Sequence, residues 1–196
     1  MYSYFEGTLV EKNPAYAVID CNGVGYLLNI SLNTFGKIPE SGKCRLYAHL
    51  SVREDAHVLF GFADISERQM FRDLISVSGV GEVTARMMLS SMNPGEIQQA
   101  IVNGDVSRLK SIKGIGEKSA QRIIVDLRNK MGKESFGISP SILGGPHNKL
   151  KQEALNALEV LGYARNVAEK AIDKTIRDEG DTLSLEDLVK RVLKNF

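Results

Sequence analysis

The spacing of apolar and polar residues divides the chain into two regimes. Over residues 1–63 the apolar positions come in short, alternating or β-rich runs separated by turns. AYAVID (15–20) and VGYLLNIS (24–31) flank Cys21-Asn22-Gly23, and Asn-Gly is a strong hairpin signal because both central residues must accept positive φ. CRLYAHLSV (44–52) and HVLFGF (57–62) flank Arg53-Glu54-Asp55-Ala56, a second hairpin candidate. With EGTLVEK at the start, five strands within about 60 residues predict a small closed or partly closed barrel, OB-like ahead of SH3-like. From residue 64 to 131 the period becomes helical. ISERQMFRDLISV opens at Asp64 or Ser66, Asn93-Pro94-Gly95 punctuates before EIQQAIVNG, and Asp105 is placed to cap VSRLKSI.

Periodicity then lapses. Residues 132–148, GKESFGISPSILGGPHN, hold four Gly, three Ser and two Pro, and read as a flexible linker. Residues 149–196 return to helix with KLKQEALNALEVLGY, NVAEKAIDKTIRDEG and SLEDLVKRVLKNF. The last of these carries a full start signature, with Ser184 as N-cap, Asp187 three residues on, and Leu183 facing Leu188 as a staple. The expected fold class is multidomain α+β: a barrel (1–63), a helical domain (64–131), a linker (132–148) and a small three-helix domain (149–196).

Composition narrows the function classes. Across 196 residues the hydrophobic share is 43% and the charged share 25%, enough for real cores in an ordinary globular chain. No apolar run approaches the roughly 18 residues of a membrane span, and MYSYFEGTLVEK lacks the regions of a signal peptide. A cytoplasmic location is the expectation. Cys21 and Cys44 have no CxxC neighbour, and His49, His57 and His147 form no metal-ligand spacing with Cys, Asp or Glu, so reduced thiols and neither metal nor cofactor are expected. A net charge of +1 argues against binding nucleic acid through bulk charge but leaves room for a local surface.

An internal repeat supplies that surface. LISVSGVGEVTARMMLS (74–90) and LKSIKGIGEKSAQRIIV (109–125) align without a gap at an offset of 35 residues. Each reads as a short helix, a Gly-apolar-Gly turn and a second helix: Gly79-Val80-Gly81, then Gly114-Ile115-Gly116. The glycines let backbone approach another molecule without a Cβ in the way. The helix that follows opens with unpaired N–H groups and a positive dipole end, a phosphate site needing little side-chain charge. The residues resemble tandem helix-hairpin-helix units, which straddle a duplex and grip its backbone. Lys110, Lys113, Lys118 and Arg122 make the second copy basic, with Lys118 and Arg122 expected to contact DNA. In the first copy Glu82 and Val83 follow the turn and Arg86 is the nearest cation. Glu82 and Glu117 would sit close to the bound phosphate, while Arg128 and Lys130 read as a solvated face. Main-chain contacts select no base, so binding should be sequence-independent and fall steeply with salt.

Taken in order, EGTLVEKNP, NGVGY, VREDAHVLFGF, the paired turns and EALNALEVLGY resemble the RuvA family, Holliday-junction-binding subunits of the bacterial branch-migration machine, over essentially the full chain. The resemblance implies an OB-like barrel, a tandem helix-hairpin-helix domain and a mobile third domain resembling a ubiquitin-associated fold. It implies a homotetramer that holds the four-way junction open and square, association with the hexameric RuvB ATPase and with the RuvC resolvase, and a role in recombination, DNA repair and the SOS response to damage. It also implies that Glu54 and Asp55 form an acidic pin near the four-fold axis; without the resemblance they read as a solvated turn. Leu158, Leu161 and Tyr163 are implied on the motor-facing surface, with Leu188 or Leu193 as weaker candidates. Leu158 fits the core of a three-helix domain equally well, and Tyr163 is the better exposed anchor. The GK pairs at 36–37, 42–43 and 132–133 are not followed by Ser or Thr, so no phosphate loop is read and the chain is expected to be non-catalytic. Two rivals stand beside this: a repair glycosylase or lyase using Asp126 with nearby lysines, and an adaptor whose C-terminal helices bind another protein.

Overall fold

The computed structural model describes residues 2–132, 146–179 and 183–194. Strands β1 (Tyr4–Asn13), β2 (Tyr16–Cys21), β3 (Val24–Asn29), β4 (Gly42–Val52) and β5 (His57–Phe62) close into a barrel in the order β1-β2-β3-β5-β4. The expected OB-like form is what folds. Alternation sets the inner face: Ala17, Ile19, Leu28, Leu46 and Ala48 are fully buried while their chain neighbours turn outward. Asn22 takes a φ of 56° and Gly23 a φ of 89°, the paired positive values that turn β2 back along β3. Where β1 crosses β2, a Cβ at Gly7 would lie 1.9 Å from the Asp20 carbonyl oxygen, so only glycine fits. A short helix α1 (Leu32–Lys37), not foreseen from the pattern, plugs the β3–β4 connection, with Ser31 Oγ accepting from the Thr34 amide.

Helices α2 (Ile65–Ile75), α3 (Glu82–Ser91), α4 (Pro94–Asn103), α5 (Val106–Lys110) and α6 (Glu117–Met131) follow. Asn93 and Glu96 form a reciprocal capping box with Pro94 in the first turn, and Asp105 caps α5 through the Arg108 amide. Asp64 stands at the N-cap of α2, but its side chain makes no cap bond and pairs with Lys37 at 2.6 Å instead.

The expected boundary at 63/64 coincides with the turn from β5 to α2, yet packing continues across it. Phe60 and Phe62 belong to the same buried cluster as Met70, Phe71 and Leu74, and both phenylalanine rings lie 5.0 Å from that of Phe71. A polar knot strengthens the seam. Fully buried Glu67 accepts from Ser31 Oγ and, at 2.8 Å, from Thr34 Oγ1, whose oxygen in turn accepts from the Ala63 amide. Burial pushes the Glu67 carboxyl up, and the hydroxyl donors offset only part of that. By contacts the chain divides into two compact units, Met1–Gly137 and Ile138–Phe196, so barrel and hairpins form one body.

The second unit contains α7 (Pro146–Val160), α8 (Arg165–Glu179) and α9 (Leu185–Lys194) around Ala154, Leu155, Leu158, Ala168, Ile172, Leu188 and Val192. Ser184 Oγ accepts from the Asp187 amide at 3.1 Å, and Leu183 and Leu188 both join the core. Most of the expected linker, residues 133–145, lies outside the described residues; its last residues, 146–148, belong to α7.

Candidate nucleic-acid interface

The two turns of the repeat share one backbone geometry. Gly79 and Gly114 adopt φ values of 88° and 90°, a region that a residue with a Cβ enters only under strain. Gly81 and Gly116 are the N-caps of α3 and α6, both at φ −84° and ψ 170°. The amides of Val80 and Ile115 close each turn on Val77 and Ile112 at 3.0 and 3.1 Å. The amides of Ala85 and Ala120 close the first helical turns on Gly81 and Gly116, both at 2.9 Å. Alanine recurs at that position because it is fully buried in the helical core in both copies.

Gly81 and Gly116 require a separate reason to be glycine. Their backbone angles suit any residue, and an added Cβ would meet nothing within 4 Å. Neither the conformation nor the interior forbids a side chain there. The bare surface faces outward, beside helix N-termini that no side chain caps.

Val80 and Ile115 require a correction. Expected among the binding residues, both are buried in the helical core, and their amides are spent inside the turns. They anchor the elbows from within.

Lys118 and Arg122 lie on the exposed first turns of α6. With Ser119, Val125 and Asp126 they line a groove of about 480 Å³ whose other wall is Ser78 and Gly79 of the first elbow. Arg122 Nη1 reaches Ser78 O and Oγ at 3.4 Å each, so one cation spans the two copies. Lys110 pairs with exposed Glu117 at 3.0 Å. Lys130, read from sequence as solvated, holds buried Asp73 at 2.6 Å.

The first elbow differs in its side chains. Arg86 turns to the barrel, donating to the Ala15 carbonyl at 3.1 Å and to Asn29 Oδ1 at 3.0 Å. Glu82, expected close to the bound phosphate, is bonded to the end of β4 and the tip that follows it. It accepts from Ser51 Oγ at 2.7 Å and pairs with Arg53 at 2.5 Å. Those bonds, the Ser51 hydroxyl foremost, hold its carboxyl below the usual range. Sequence reading missed this because the partners lie some 30 residues upstream, in another element.

Glu54 and Asp55 stand exposed at the tip between β4 and β5, closed by the Arg53 amide on the Ala56 carbonyl at 2.9 Å. In the C-terminal unit, Leu158 is fully buried at the centre of the core, which corrects its expected place on a partner surface; Leu188 is buried likewise. Tyr163 is half-buried against the same core, less exposed than expected. Leu161 is 57% exposed, beside Val160 at 88%, and Gly162 at a φ of 96° ends the helix there. Val160 was missed because it continues the apolar run of a core helix.

Three family models match successive parts of the chain: the RuvA N-terminal domain over residues 1–61, the SAM-like helix-hairpin-helix tandem over 71–129, and the RuvA C-terminal domain over 149–195. Among curated relatives, a protein of Christiangramia forsetii is 49% identical over 200 residues and one of Flavobacterium psychrophilum 48% identical over 200 residues. One of Bacteroides fragilis is 43% identical over 202 residues, and all three alignments cover 100% of both chains. Each is named Holliday junction branch migration complex subunit RuvA. Barrel, paired elbows and three-helix unit, matched in order and along the whole length, establish that this chain belongs to the RuvA family.

Proposed function

We propose that the chain is the DNA-binding subunit of a branch-migration complex, gripping the sugar-phosphate chains of a four-way junction through main-chain amides at its two elbows. The observation that carries this reading is the pair Gly81 and Gly116, bare of side chain where neither conformation nor packing asks for it. A missing Cβ that benefits nothing inside the protein benefits a close approach from outside. Uncapped helix N-termini supply the donors for an anion. Lys118 and Arg122 add charge over the groove that joins the elbows. None of these contacts reads a base, so the selectivity is for shape.

The tip that bears Glu54 and Asp55 supplies that selectivity by repulsion. Two unit charges 4 Å apart interact by about 1 kcal/mol in water and about 4 at an effective dielectric of 20. Carboxylates at the centre of the complex disfavour a continuous duplex there and tolerate strands that separate into four arms. Four copies around one junction would place four such tips together. The work of migration comes from a separate chain, the RuvB ATPase, docked on exposed Val160 and Leu161 with Tyr163 at the edge of that surface. This subunit then performs no catalysis, acts in the cytoplasm, and leaves the junction accessible to the RuvC resolvase.

The test is a mobility-shift titration of a four-way junction against linear duplex of equal arm sequence at two salt concentrations. Tighter junction binding, with both affinities falling as salt rises, is expected. Equal affinity for the two DNAs, or affinity indifferent to salt, overturns the reading.

A further inference from the structure

The repeat places a glutamate after the second glycine of each elbow, but the two carboxylates are used differently. Glu117 is exposed and pairs with Lys110 of its own hairpin. Glu82 keeps only 20% of its side-chain exposure and faces the barrel. Ser51 Oγ donates to one of its oxygens at 2.7 Å and Arg53 Nη2 to the other at 2.5 Å. Ser51 belongs to the end of β4, and Arg53 is the residue that precedes Glu54 and Asp55. Across Ser51–His57 the sole Lys or Arg is Arg53. Glu82 therefore binds the one Lys or Arg that the tip segment itself carries.

We propose that Glu82 is a positioning residue that sequesters Arg53, so that the β4–β5 tip meets DNA as two uncompensated carboxylates. The proposal rests on the reading of that tip as a phosphate-repelling element. A released Arg53 would act against the tip in two ways. It would offset one of the two adjacent negative charges, and its guanidinium would itself be a strong phosphate ligand. Both effects favour a continuous duplex at the place where the tip should exclude it. Held by a mostly buried carboxylate, Arg53 is less subject to screening by salt than a free surface pair would be. This explains why a carboxylate is tolerated beside a helix N-terminus that is otherwise built for anions. Its charge is already matched by Arg53.

The test uses the full chain and measures Kd for a synthetic four-way junction and for linear duplex of the same arm sequence. Glu82→Gln should lower the linear-to-junction Kd ratio by about threefold to tenfold, chiefly by tightening the linear complex. It should also steepen the salt dependence of linear binding by about one charge. Adding Arg53→Gln to Glu82→Gln should restore the wild-type ratio, because the freed cation is then gone. Arg53→Gln alone frees no cation and should not lower that ratio; a lowered ratio overturns the proposal, and this variant decides the matter if Glu82→Gln fails to fold. The paired change Glu54→Gln with Asp55→Asn tests the tip itself. If it lowers the ratio while Glu82→Gln does not, or if Arg53→Gln fails to restore the double variant, the sequestration is wrong and the reading of the tip stands. Junction affinity below wild type in the variant carrying both Arg53→Gln and Glu82→Gln, where no unmatched carboxylate remains, means that Arg53 contacts DNA, which also overturns the proposal. An unchanged ratio with Glu54→Gln and Asp55→Asn removes the reading of the tip and the proposal together.

Discussion

The two elbows are copies in backbone and opposites in side chain. Their cap angles agree to the degree and their closing hydrogen bonds to 0.1 Å. The second elbow keeps Lys118 and Arg122 on the open face of its helix, above the shared groove. The first spends Glu82 on Ser51 and Arg53, and Arg86 on Ala15 and Asn29, all in the barrel. One copy reaches outward, while the other fastens the helices to the strands. The repeat thus keeps the bare main chain the same in both turns and lets the side chains diverge. Two copies of the second elbow would lack the bonds that tie the first to the barrel and to Arg53 beside the tip.

The largest expected effect comes from filling the bare positions. Gly116→Val adds a side chain where the protein has room for one, so the fold should survive. Junction affinity should fall by roughly tenfold to a hundredfold, as befits lost charge-assisted amide contacts of about 1.5–3 kcal/mol. Gly81→Val should act in the same direction but less, since no lysine stands beside it to be displaced as well. Titrations of both variants, with melting curves to confirm folding, separate the copies. Gly79 and Gly114 are poorer probes because their positive φ would strain any substitution.

The side chains should divide differently. Lys118→Gln with Arg122→Gln should weaken binding to every DNA and reduce the salt slope by about two charges. Arg86→Gln should leave that slope alone and cost about 1–2 kcal/mol of stability, through the lost bonds to Ala15 and Asn29. A salt titration and a urea melt read both.

The smallest effect separates the two glutamates. Glu117→Gln should cost under about 0.5 kcal/mol, because its pair with Lys110 is exposed. Glu82→Gln should cost about 1 kcal/mol at neutral pH. The folded Glu82 carboxyl sits below its ordinary value of 4.5, so its contribution is present above that value and lost as pH falls through the lower folded one. Melts of Glu82→Gln and wild type should therefore converge as the solution is acidified.

What the sequence disclosed follows the range of each interaction. The strands, the Asn22-Gly23 turn, the caps at Asp105 and Ser184, and the repeat itself are set by neighbours a few residues apart, and all are legible in order along the chain. The partners of Glu82 and Arg86 are set by how the barrel meets the helices, at separations of 29 to 71 residues, which no local period records. Leu158 shows the same limit from another side. Leu155, Leu158 and Leu161 share one helical spacing, yet the first two close the core while Leu161, just past the helix end and before Gly162, is left in solvent. Val80 and Ile115 were legible as apolar members of the turn; only packing reveals that their side chains point inward.

Amide hydrogen exchange with and without a saturating four-way junction tests the main-chain grip most directly. Slower exchange should appear at the first helical amides after both glycines, Glu82 to Thr84 and Glu117 to Ser119, in the presence of the junction. Unchanged exchange at both sets, with the junction demonstrably bound, would contradict the account.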